Sequence, residues 1–439
     1  MSFTREQLLE RLAALEYQAE RPSRYVIAFS GGLDSSVLAH ALADAEIPVL
    51  AVHIDHGLQR EAEDWNRHCR AFAEACGIAF RCQPIDVQLE SGKGPEGSAR
   101  DARYSALHDM LEPGDWLLSA HHREDQAETL LLNLVRGSGP AGIAGIGALR
   151  RFGPGWLVRP LLAFDRAELR AYAAAHDIHW IEDPSNADTR FDRNFLRHEV
   201  IPCLQTRWPD IALRLQRSAL HASEATSLLA DLAGIDLEAL GAQPQRLPIG
   251  ALLDLPRHRQ KNLVRHALRT CGLTVPTALQ LDTILDEVLR ARVDAQPLLR
   301  WPGGSARRYR DGLYLLPDRL ADTLPEGPIA SSAVRLGSGL GTLFFEPGVD
   351  RGLDPQLVGP RLRLAARKGG ERIRLHSQSH TKKLKKLLQE EGVVPWMRDR
   401  VPLIYAGDKL VAVGDLWTAA DATTSPGVAV RWKDRPALH

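Results

Sequence analysis

A glycine-rich segment between a buried strand and a helix is the first place where this sequence could do chemistry. An apolar run, Tyr25–Phe29, leads into the segment, and a helical pattern follows from Val37. Two glycines allow the backbone to close around an anion, and the open N–H groups of a helix N-terminus donate to phosphate oxygens. We therefore expect a phosphate-binding loop. Its residues are Ser30, Gly31, Gly32, Leu33, Asp34, Ser35 and Ser36.

Asp34 is the acidic residue of this loop, and its charge needs a partner. A carboxylate beside phosphate groups is repulsive unless a divalent cation lies between them, so Asp34 predicts a bound Mg²⁺. The alternative is an ordinary helix whose first turn is capped by serine and aspartate side chains. Neither G-x-x-x-x-G-K-[ST] nor a G-x-G-x-x-G that follows a strand occurs in the chain, which disfavours kinase-type and dinucleotide-type sites.

A second group of polar residues follows the apolar run Trp116–Ala120. His121 lies where this strand gives way to a helix and could orient a base or a phosphate, with a structural hydrogen bond as the alternative. Asp125 and Glu128 are three residues apart at the start of that helix, so their carboxylates share one face and could hold a second Mg²⁺ or an amine. Their alternative role is to complement the helix dipole.

Positive charge is concentrated at two places in the sequence. Arg100 and Arg103 are three apart on one predicted helix face and can contact phosphates, because guanidinium groups are permanently charged. Residues 361–400 contain twelve Lys and Arg against four acidic residues, and the segment TKKLKKLLQ supplies four of the nine lysines of the chain. The arginines could contact phosphates and the lysines could bind nucleic-acid phosphates, and a solvated helix face is the alternative for each.

These residues need a scaffold that brings strand ends together. Up to about residue 200, short β-branched runs alternate with helical patterns, which predicts an α/β domain with a parallel, doubly wound sheet. Ligands of such sheets bind beyond the carboxyl ends of the strands. The candidate strands are Tyr25–Phe29, Val49–Ile54, Ile78–Cys82 and Trp116–Ala120.

The rest of the chain changes character twice. From about Pro209 to Arg292, leucine, alanine and arginine recur at helical spacing, which predicts an all-helical middle domain. Residues 302–360 are rich in Gly and Pro and contain short strand candidates such as LYLL, and the basic stretch follows, so we expect a small α+β C-terminal domain. The predicted domains are 1–208, 209–320 and 321–439.

Composition limits the class of protein. The 439 residues are 44% hydrophobic, and 55 Lys and Arg balance 55 Asp and Glu, so we expect a globular chain without a global basic field. The five cysteines form no Cys-x-x-Cys pair, which argues against a disulfide framework, a zinc ribbon or an iron–sulfur site. No uninterrupted apolar run reaches about 18 residues. The N-terminus lacks an apolar signal region, so a cytoplasmic, non-membrane protein is expected.

The loop Ser30–Ser35 resembles the PP-loop of the ATP pyrophosphatases, which grips the pyrophosphate end of ATP while the α-phosphate is attacked. Further strings, in their order and spacing, make most of the chain resemble the tRNA(Ile)-lysidine synthetases. The family commonly has two successive Asp residues after the histidine pair, whereas here Glu124 precedes Asp125. The strings are His53–Leu58, Ala99–Tyr104, Ala120–Thr129, Arg136–Pro140, Glu182–Asn186, Arg193–Arg197, the Lys382–Trp396 region and the following PLIYAGDKLVAV.

This resemblance implies a ligase that uses ATP and Mg²⁺. It implies that O2 of the wobble cytidine of the CAU-anticodon tRNA(Ile) attacks ATP and releases pyrophosphate. Free L-lysine then displaces AMP from C2 of the base and leaves lysidine. The implied catalytic residues are Asp34, Arg103, His121, Asp125 and Glu128, with Asp34 as the metal ligand and His56 beside the adenine. The implied tRNA contacts are Arg100, Arg193, Arg197, Lys382, Lys383, Lys385 and Lys386.

Other interpretations stay open at this point. Another PP-loop enzyme that modifies tRNA, such as a 2-thiolase, would also adenylate a base, but it would usually need reactive or cluster-binding cysteines. An amide-forming PP-loop ligase leaves the long C-terminal half unexplained. The intact loop argues against a non-catalytic RNA-binding protein. The sequence does not fix the oligomeric state, and a homodimer is one alternative.

Overall fold

The computed structural model describes residues 2–55, 62–85, 94–292, 295–319, 323–358, 362–376 and 380–438. The chain divides into two compact units, 1–229 and 230–439. None of the helices in these described ranges is long and apolar enough to cross a membrane.

A six-stranded sheet forms the centre of the first unit. Its strands are β1 (Arg24–Ala28), β2 (Val49–Asp55), β3 (Ala79–Pro84), β4 (Asp115–Leu118), β5 (Leu149–Phe152) and β6 (Gly155–Val158). They lie in the order β3-β2-β1-β4-β6-β5, and neighbours are parallel except at the edge, where β5 pairs antiparallel with β6. The predicted parallel sheet and its four candidate strands are confirmed.

Helices cover both faces of this sheet. Alternate residues of β1 point to opposite layers, because side chains alternate along a strand. Ile27 shares a core with Leu38 and Leu42, whereas Val26 shares a core with Leu107. The central strand is therefore fixed on both faces, which also fixes the loop at its carboxyl end. The helices are α1 (Arg5–Glu16), α2 (Leu33–Asp44), α3 (Ala62–Ala75), α4 (Gly94–Met110), α5 (Arg123–Val135), α6 (Pro140–Ile143), α7 (Arg166–Ala175), α8 (Asp192–Phe195), α9 (Ile201–Arg207) and α10 (Ile211–Ala239).

The middle of the chain is not all-helical, so that part of the prediction is wrong. Its helices are α11 (Ile249–Asp254), α12 (Arg257–Thr270) and α13 (Ala278–Thr283), and its strands are β7 (Arg246–Pro248), β8 (Leu298–Trp301), β9 (Gly304–Tyr309) and β10 (Gly312–Leu316). The strands form an antiparallel sheet in the order β7-β10-β9-β8, which shares one core with the helices. The sequence indicates one of these strands, because the run LYLL lies within β10. The other three strands, of three to six residues, carry too short a period-two pattern to detect. The Pro-Gly-Gly and Asp-Gly turns around them suggested only loops.

The C-terminal region is rich in β-structure. Two five-stranded sheets have the orders β11-β15-β18-β19-β20 and β12-β13-β22-β14-β21, and a β16–β17 pair precedes the helix α14 (Leu384–Glu390). One core joins both sheets and the helix. The strands are β11 (Gly327–Pro328), β12 (Ala333–Arg335), β13 (Thr342–Val349), β14 (Gly352–Leu353), β15 (Leu362–Ala365), β16 (Arg372–Ile373), β17 (Lys382–Lys383), β18 (Leu403–Ala406), β19 (Lys409–Val413), β20 (Trp417–Thr418), β21 (Thr423–Thr424) and β22 (Gly427–Lys433).

Candidate active site

The predicted phosphate loop joins the carboxyl end of β1 to the N-terminus of α2. Within it, the hydroxyl of Ser35 donates to the carbonyl of Gly32 at 3.0 Å and lies 3.1 Å from Oγ of Ser30. Gly32 occupies the N-cap position and has no side chain that could accept from the first helical turn. The first N–H groups of an α-helix have no acceptor within the helix. The serines therefore brace the loop internally and leave those N–H groups available to an anion.

Gly31 is at a position that excludes any side chain. Its φ is +77°, in the left-handed region that favours glycine. Its carbonyl accepts a hydrogen bond from the N–H of Ile181 at 2.9 Å, which ties the loop to a distant segment. A Cβ atom built at Gly31 would lie 2.7 Å from Sγ of the buried Cys69. The close approach of Cys69 to the loop therefore requires glycine at position 31.

Asp34 has one oxygen with no protein partner. Its Oδ1 is buried and has no hydrogen-bond partner among the described residues, while Oδ2 lies 3.7 Å from Nε2 of His122. Burial raises the pKa of Asp34, and the charge of His122 opposes that rise. A buried carboxylate oxygen without a donor is costly unless a cation or a proton completes it. This atom fits a ligand for Mg²⁺, a hard cation that prefers oxygen.

His122 was not predicted, yet it connects the acidic residues of the site. The side chain is almost fully buried, and its Nδ1 lies 2.9 Å from Oε2 of Glu124. Burial disfavours its protonated form, but the carboxylates of Asp125, Glu124 and Asp34 raise the pKa of His122 above its ordinary value. Glu124 also accepts the N–H of Arg166 at the start of α7 at 3.1 Å. Only the position of His122 next to His121 signalled it in the sequence.

Asp125 and Glu128 are paired with two arginines from the segment after the sheet. Arg193 donates from Nε to Glu128 at 2.6 Å and from Nη2 to Asp125 at 2.9 Å. Arg197 donates from Nε to the other oxygen of Glu128 at 2.6 Å and from Nη2 to Asp125 at 3.2 Å. The second oxygen of Asp125 accepts the N–H of His122 at 2.9 Å. The two arginines thus balance the charge of the two buried carboxylates.

This pairing bears on the expectation that the two acids hold an amine or a second metal ion. Every carboxylate oxygen of Asp125 and Glu128 already accepts a hydrogen bond. Among the described residues, no group of three or more His, Cys, Asp or Glu is arranged to hold a metal ion. In this structure the two acids thus bind donors of the chain itself, and their expected contact with an amine or a second metal ion stays a prediction.

His121 lies one strand away from the loop, at the end of β4. Its Nδ1 is 2.7 Å from the hydroxyl of Ser119. Burial lowers the pKa of His121 to about 3; the nearby Asp125 opposes the shift, and Arg159 and Arg193 add to it. The imidazole is therefore neutral at physiological pH, so it can accept or donate a hydrogen bond without carrying charge.

A cluster of arginines surrounds Tyr104 on α4. The guanidinium carbons of Arg100 and Arg103 lie 5.4 and 6.0 Å from the centre of its ring. Burial alone would raise the pKa of Tyr104, but Arg100 and Arg159 hold it below its ordinary value. Arg159 was not predicted, although it directly follows β6 at the carboxyl edge where ligands bind. The sequence signal was thus its position after a strand, not its residue type.

The remaining predicted residues lie elsewhere. His56 is outside the described residues. In the second unit, a cleft of about 510 Å³ is lined by Arg310, three of the predicted lysines, and Gln389 and Glu390. Lys382, the fourth predicted lysine, lies 3.3 Å from Glu390. The lysines that line the cleft are Lys383, Lys385 and Lys386.

Three family models match this chain. The model described as a PP-loop domain matches residues 4–204. The TilS substrate binding domain matches residues 247–314, and the TilS substrate C-terminal domain matches residues 362–432. Together the matches include the loop, the middle sheet and the basic C-terminal segment.

Curated relatives match nearly the whole chain. A tRNA(Ile)-lysidine synthase of Alkalilimnicola ehrlichii is 45% identical over 413 residues, which cover 92% of this chain and 92% of that protein. The proteins of the same name from Methylococcus capsulatus and Coxiella burnetii are each 40% identical and cover 93% and 94% of this chain, and 96% and 92% of their own lengths.

Replacing Gly31 by alanine should damage both the fold and ATP binding. A left-handed backbone costs a residue with a Cβ atom about 1–2 kcal/mol, and the new atom would also contact Cys69. We expect Gly31→Ala to lower the free energy of unfolding by more than that and to abolish ATP binding in a calorimetric titration. Gly77→Ala is the matched control, because Gly77 has a φ of +66° and open space around it. Unchanged ATP affinity in Gly31→Ala would contradict this account of the loop.

Proposed function

This chain belongs to the tRNA(Ile)-lysidine synthase family, and from that membership we propose a two-step reaction for its site. In the first step, O2 of the wobble cytidine in a CAU anticodon attacks the α-phosphorus of ATP, and pyrophosphate leaves. In the second step, the ε-amine of free L-lysine attacks C2 of the base, the C2–O2 bond breaks and AMP departs. The observation that carries the proposal is the braced loop Ser30–Ser36, whose open N–H groups suit a polyphosphate.

The chain's own groups act mainly through position and charge. The first turn of α2 offers N–H groups and the positive end of its dipole to the phosphates. Arg103 is a candidate for spreading the charge that develops on the attacked phosphate, because fixed donors are worth most where water is excluded. Asp125 and Glu128 hold the guanidinium groups of Arg193 and Arg197 in fixed positions. These charges can therefore act on the reacting groups without first moving.

Asp34 is the proposed ligand for Mg²⁺. When bound, the ion would neutralise charge on the departing pyrophosphate. The buried Oδ1, which has no partner among the described residues, supports this assignment, and the other oxygen lies 3.7 Å from Nε2 of His122.

Replacing Asp34 by asparagine tests the metal assignment. The amide removes a charge from the metal ligand, so we expect the Mg²⁺ concentration for half-maximal pyrophosphate release to rise and the rate to fall by roughly 100-fold. Asp44→Asn at the exposed other end of α2 is the control and should behave as wild type. An Asp34→Asn enzyme with an unchanged Mg²⁺ response would exclude the assignment.

His121 is proposed to meet the attacking amine. A neutral imidazole can accept a hydrogen bond from the lysine ammonium or amine, whereas an imidazolium would repel it. Its low pKa makes it a poor proton acceptor, so the proton from lysine passes to water. Asp125 and Glu128 contribute through the arginines that they hold.

Mass analysis of a modified transcript tests the function directly. We expect an unmodified CAU-anticodon tRNA(Ile) transcript, incubated with ATP, Mg²⁺ and L-lysine, to gain lysidine, with AMP and pyrophosphate formed in equal amounts. Without lysine, pyrophosphate release should stop at the adenylated tRNA. The matched control is the same tRNA with a CAC anticodon. ATP consumption that proceeds repeatedly without lysine, or a sulfur-containing product, would contradict the proposal.

The cysteines do not favour the thiolase alternative. Burial raises the pKa of Cys69 to about 12 and also raises the pKa values of Cys76, Cys82 and Cys271. The thiolate is the nucleophilic form of cysteine, so these thiols are poorly suited to sulfur transfer. Cys203 is exposed and unpaired with another cysteine in the described part of the chain.

The tRNA itself is proposed to bind regions 209–320 and 321–439. Lys383, Lys385 and Lys386 are positioned around a cleft with Arg310, whose guanidinium donates to the carbonyl of Gln389 at 2.7 Å. This contact links the β9–β10 turn to α14, so the basic side chains form one surface within the second unit. Exposed amines on a fixed surface suit phosphate contacts.

Neutralising the lysine cluster should weaken tRNA binding without affecting ATP binding. Each phosphate contact releases counterions, so replacing Lys382, Lys383, Lys385 and Lys386 by glutamine should reduce the slope of log Kd against log salt by roughly three. A double Lys409→Gln, Lys433→Gln variant is the control, because both lysines are exposed and lie outside the cleft. An unchanged salt slope in the fourfold variant would show that the cluster is only a solvated surface.

The proposal requires a single chain for the chemistry. All groups proposed for the chemistry lie within residues 1–229. They include the loop Ser30–Ser36, His121, His122, and the ion-paired Asp125, Glu128, Arg193 and Arg197. A homodimer would then be a matter of assembly rather than of catalysis, and light scattering of the purified protein distinguishes a monomer from a dimer.

A further inference from the structure

Arg159 is a buried guanidinium that lacks an acidic partner. The residue is 6% exposed, and its Nη1 donates to the carbonyl of Gly147 at 2.6 Å. Its Nε is buried and has no hydrogen-bond acceptor among the described residues. None of the ion pairs between described residues includes Arg159, so no carboxylate of the described side chains is paired with it. Leaving a charge and an N–H group in this state is costly, and an anionic ligand would remove the cost.

The surroundings of Arg159 add positive rather than negative charge. Tyr104 is hydrogen-bonded to Arg159 and favours its charge, whereas the guanidinium groups of Arg150 and Arg100 repel it. The acids on this side, Asp125 and Glu128, are already paired with arginines. The uncompensated charge of Arg159 among the described side chains therefore favours a small anion as its partner.

The position of Arg159 relates it to the loop. It follows β6, His121 follows β4 and the loop follows β1, and these three strands are neighbours in that order. Strands are about 4.8 Å apart, so two strand spacings separate Arg159 from the loop by about 10 Å. An extended lysine molecule is long enough to reach from Arg159 past His121 towards the base that is attacked at the loop.

Three kinds of anion take part in the proposed reaction, and only one suits Arg159. The phosphates of ATP are assigned to the start of α2, two strands away. The RNA backbone is too bulky to reach a side chain that is 6% exposed. The α-carboxylate of free lysine is small and planar, and it matches the fork of a guanidinium.

We propose that Arg159 binds the α-carboxylate of the lysine substrate and so directs its ε-amine along the sheet edge towards the adenylated cytidine. This inference rests on the proposed function and names the group that recognises its amino-acid substrate. Arg159 then acts in the second step alone and selects α-amino acids over amines that lack a carboxylate. Tyr104 supports the guanidinium from α4.

The test compares L-lysine with L-lysinamide, in which a neutral amide replaces the carboxylate. Loss of one partner from a buried charge pair has a large cost, so wild type should prefer lysine in kcat/KM by roughly 100-fold. In Arg159→Gln, the KM for lysine should rise and the preference should fall below roughly 10-fold. Pyrophosphate release from ATP and tRNA in the absence of lysine should keep its wild-type rate and its KM for ATP. The matched control is Arg11→Gln, an exposed arginine of α1.

Each other outcome overturns the proposal. Equal losses for lysine and lysinamide in Arg159→Gln would show a structural role, and a raised KM for ATP would assign Arg159 to the nucleotide. If Arg159→Gln does not fold, wild type alone decides, because equal use of lysine and lysinamide by wild type excludes any carboxylate site. Absence of lysidine from the wild-type reaction would instead reject the proposed function itself, and this inference with it.

Discussion

The site depends on compensation of carboxylates that are buried together at one edge of a sheet. Asp34, Asp125 and Glu128 come from two helix N-termini, and an unpaired buried carboxylate costs several kcal/mol. His122 lies close to the carboxylates of both Asp34 and Asp125. Arg193 and Arg197 form ion pairs with Glu128. The one exception is Oδ1 of Asp34, which has no partner among the described residues. A network that is satisfied everywhere except at one oxygen marks that oxygen as the place for a ligand.

The same network connects parts of the fold that the sheet alone would not connect. Glu124 bonds His122 on one side and the first N–H of α7 on the other, so the histidine is oriented by a helix more than 40 residues away. Glutamate carries one methylene more than aspartate, and this longer side chain contacts both partners here.

Sequence reasoning located what depends on short-range pattern. The strands, the loop Ser30–Ser36 and the acids at the start of α5 follow from local periodicity and turn chemistry, and the structure has them in place. The sequence alone could not show that Glu128 pairs with Arg193 and Arg197, because 65 or more residues separate them. Sequence reasoning also missed Arg159 and the strands β7 to β9, since a single residue after a strand and runs of three to six residues carry too little pattern.

The two units carry different kinds of charge, and the difference suits the roles that we propose for them. The whole chain has 55 basic and 55 acidic residues, so net charge cannot draw an RNA to it. Salt screens the exposed lysines around the cleft of the second unit, whereas it screens the partly buried arginines that pair with Asp125 and Glu128 much less. RNA capture should therefore depend on ionic strength, while the geometry of the reacting groups should not. A protein that must hold a large polyanion and then act on one neutral base gains from keeping these two kinds of charge apart.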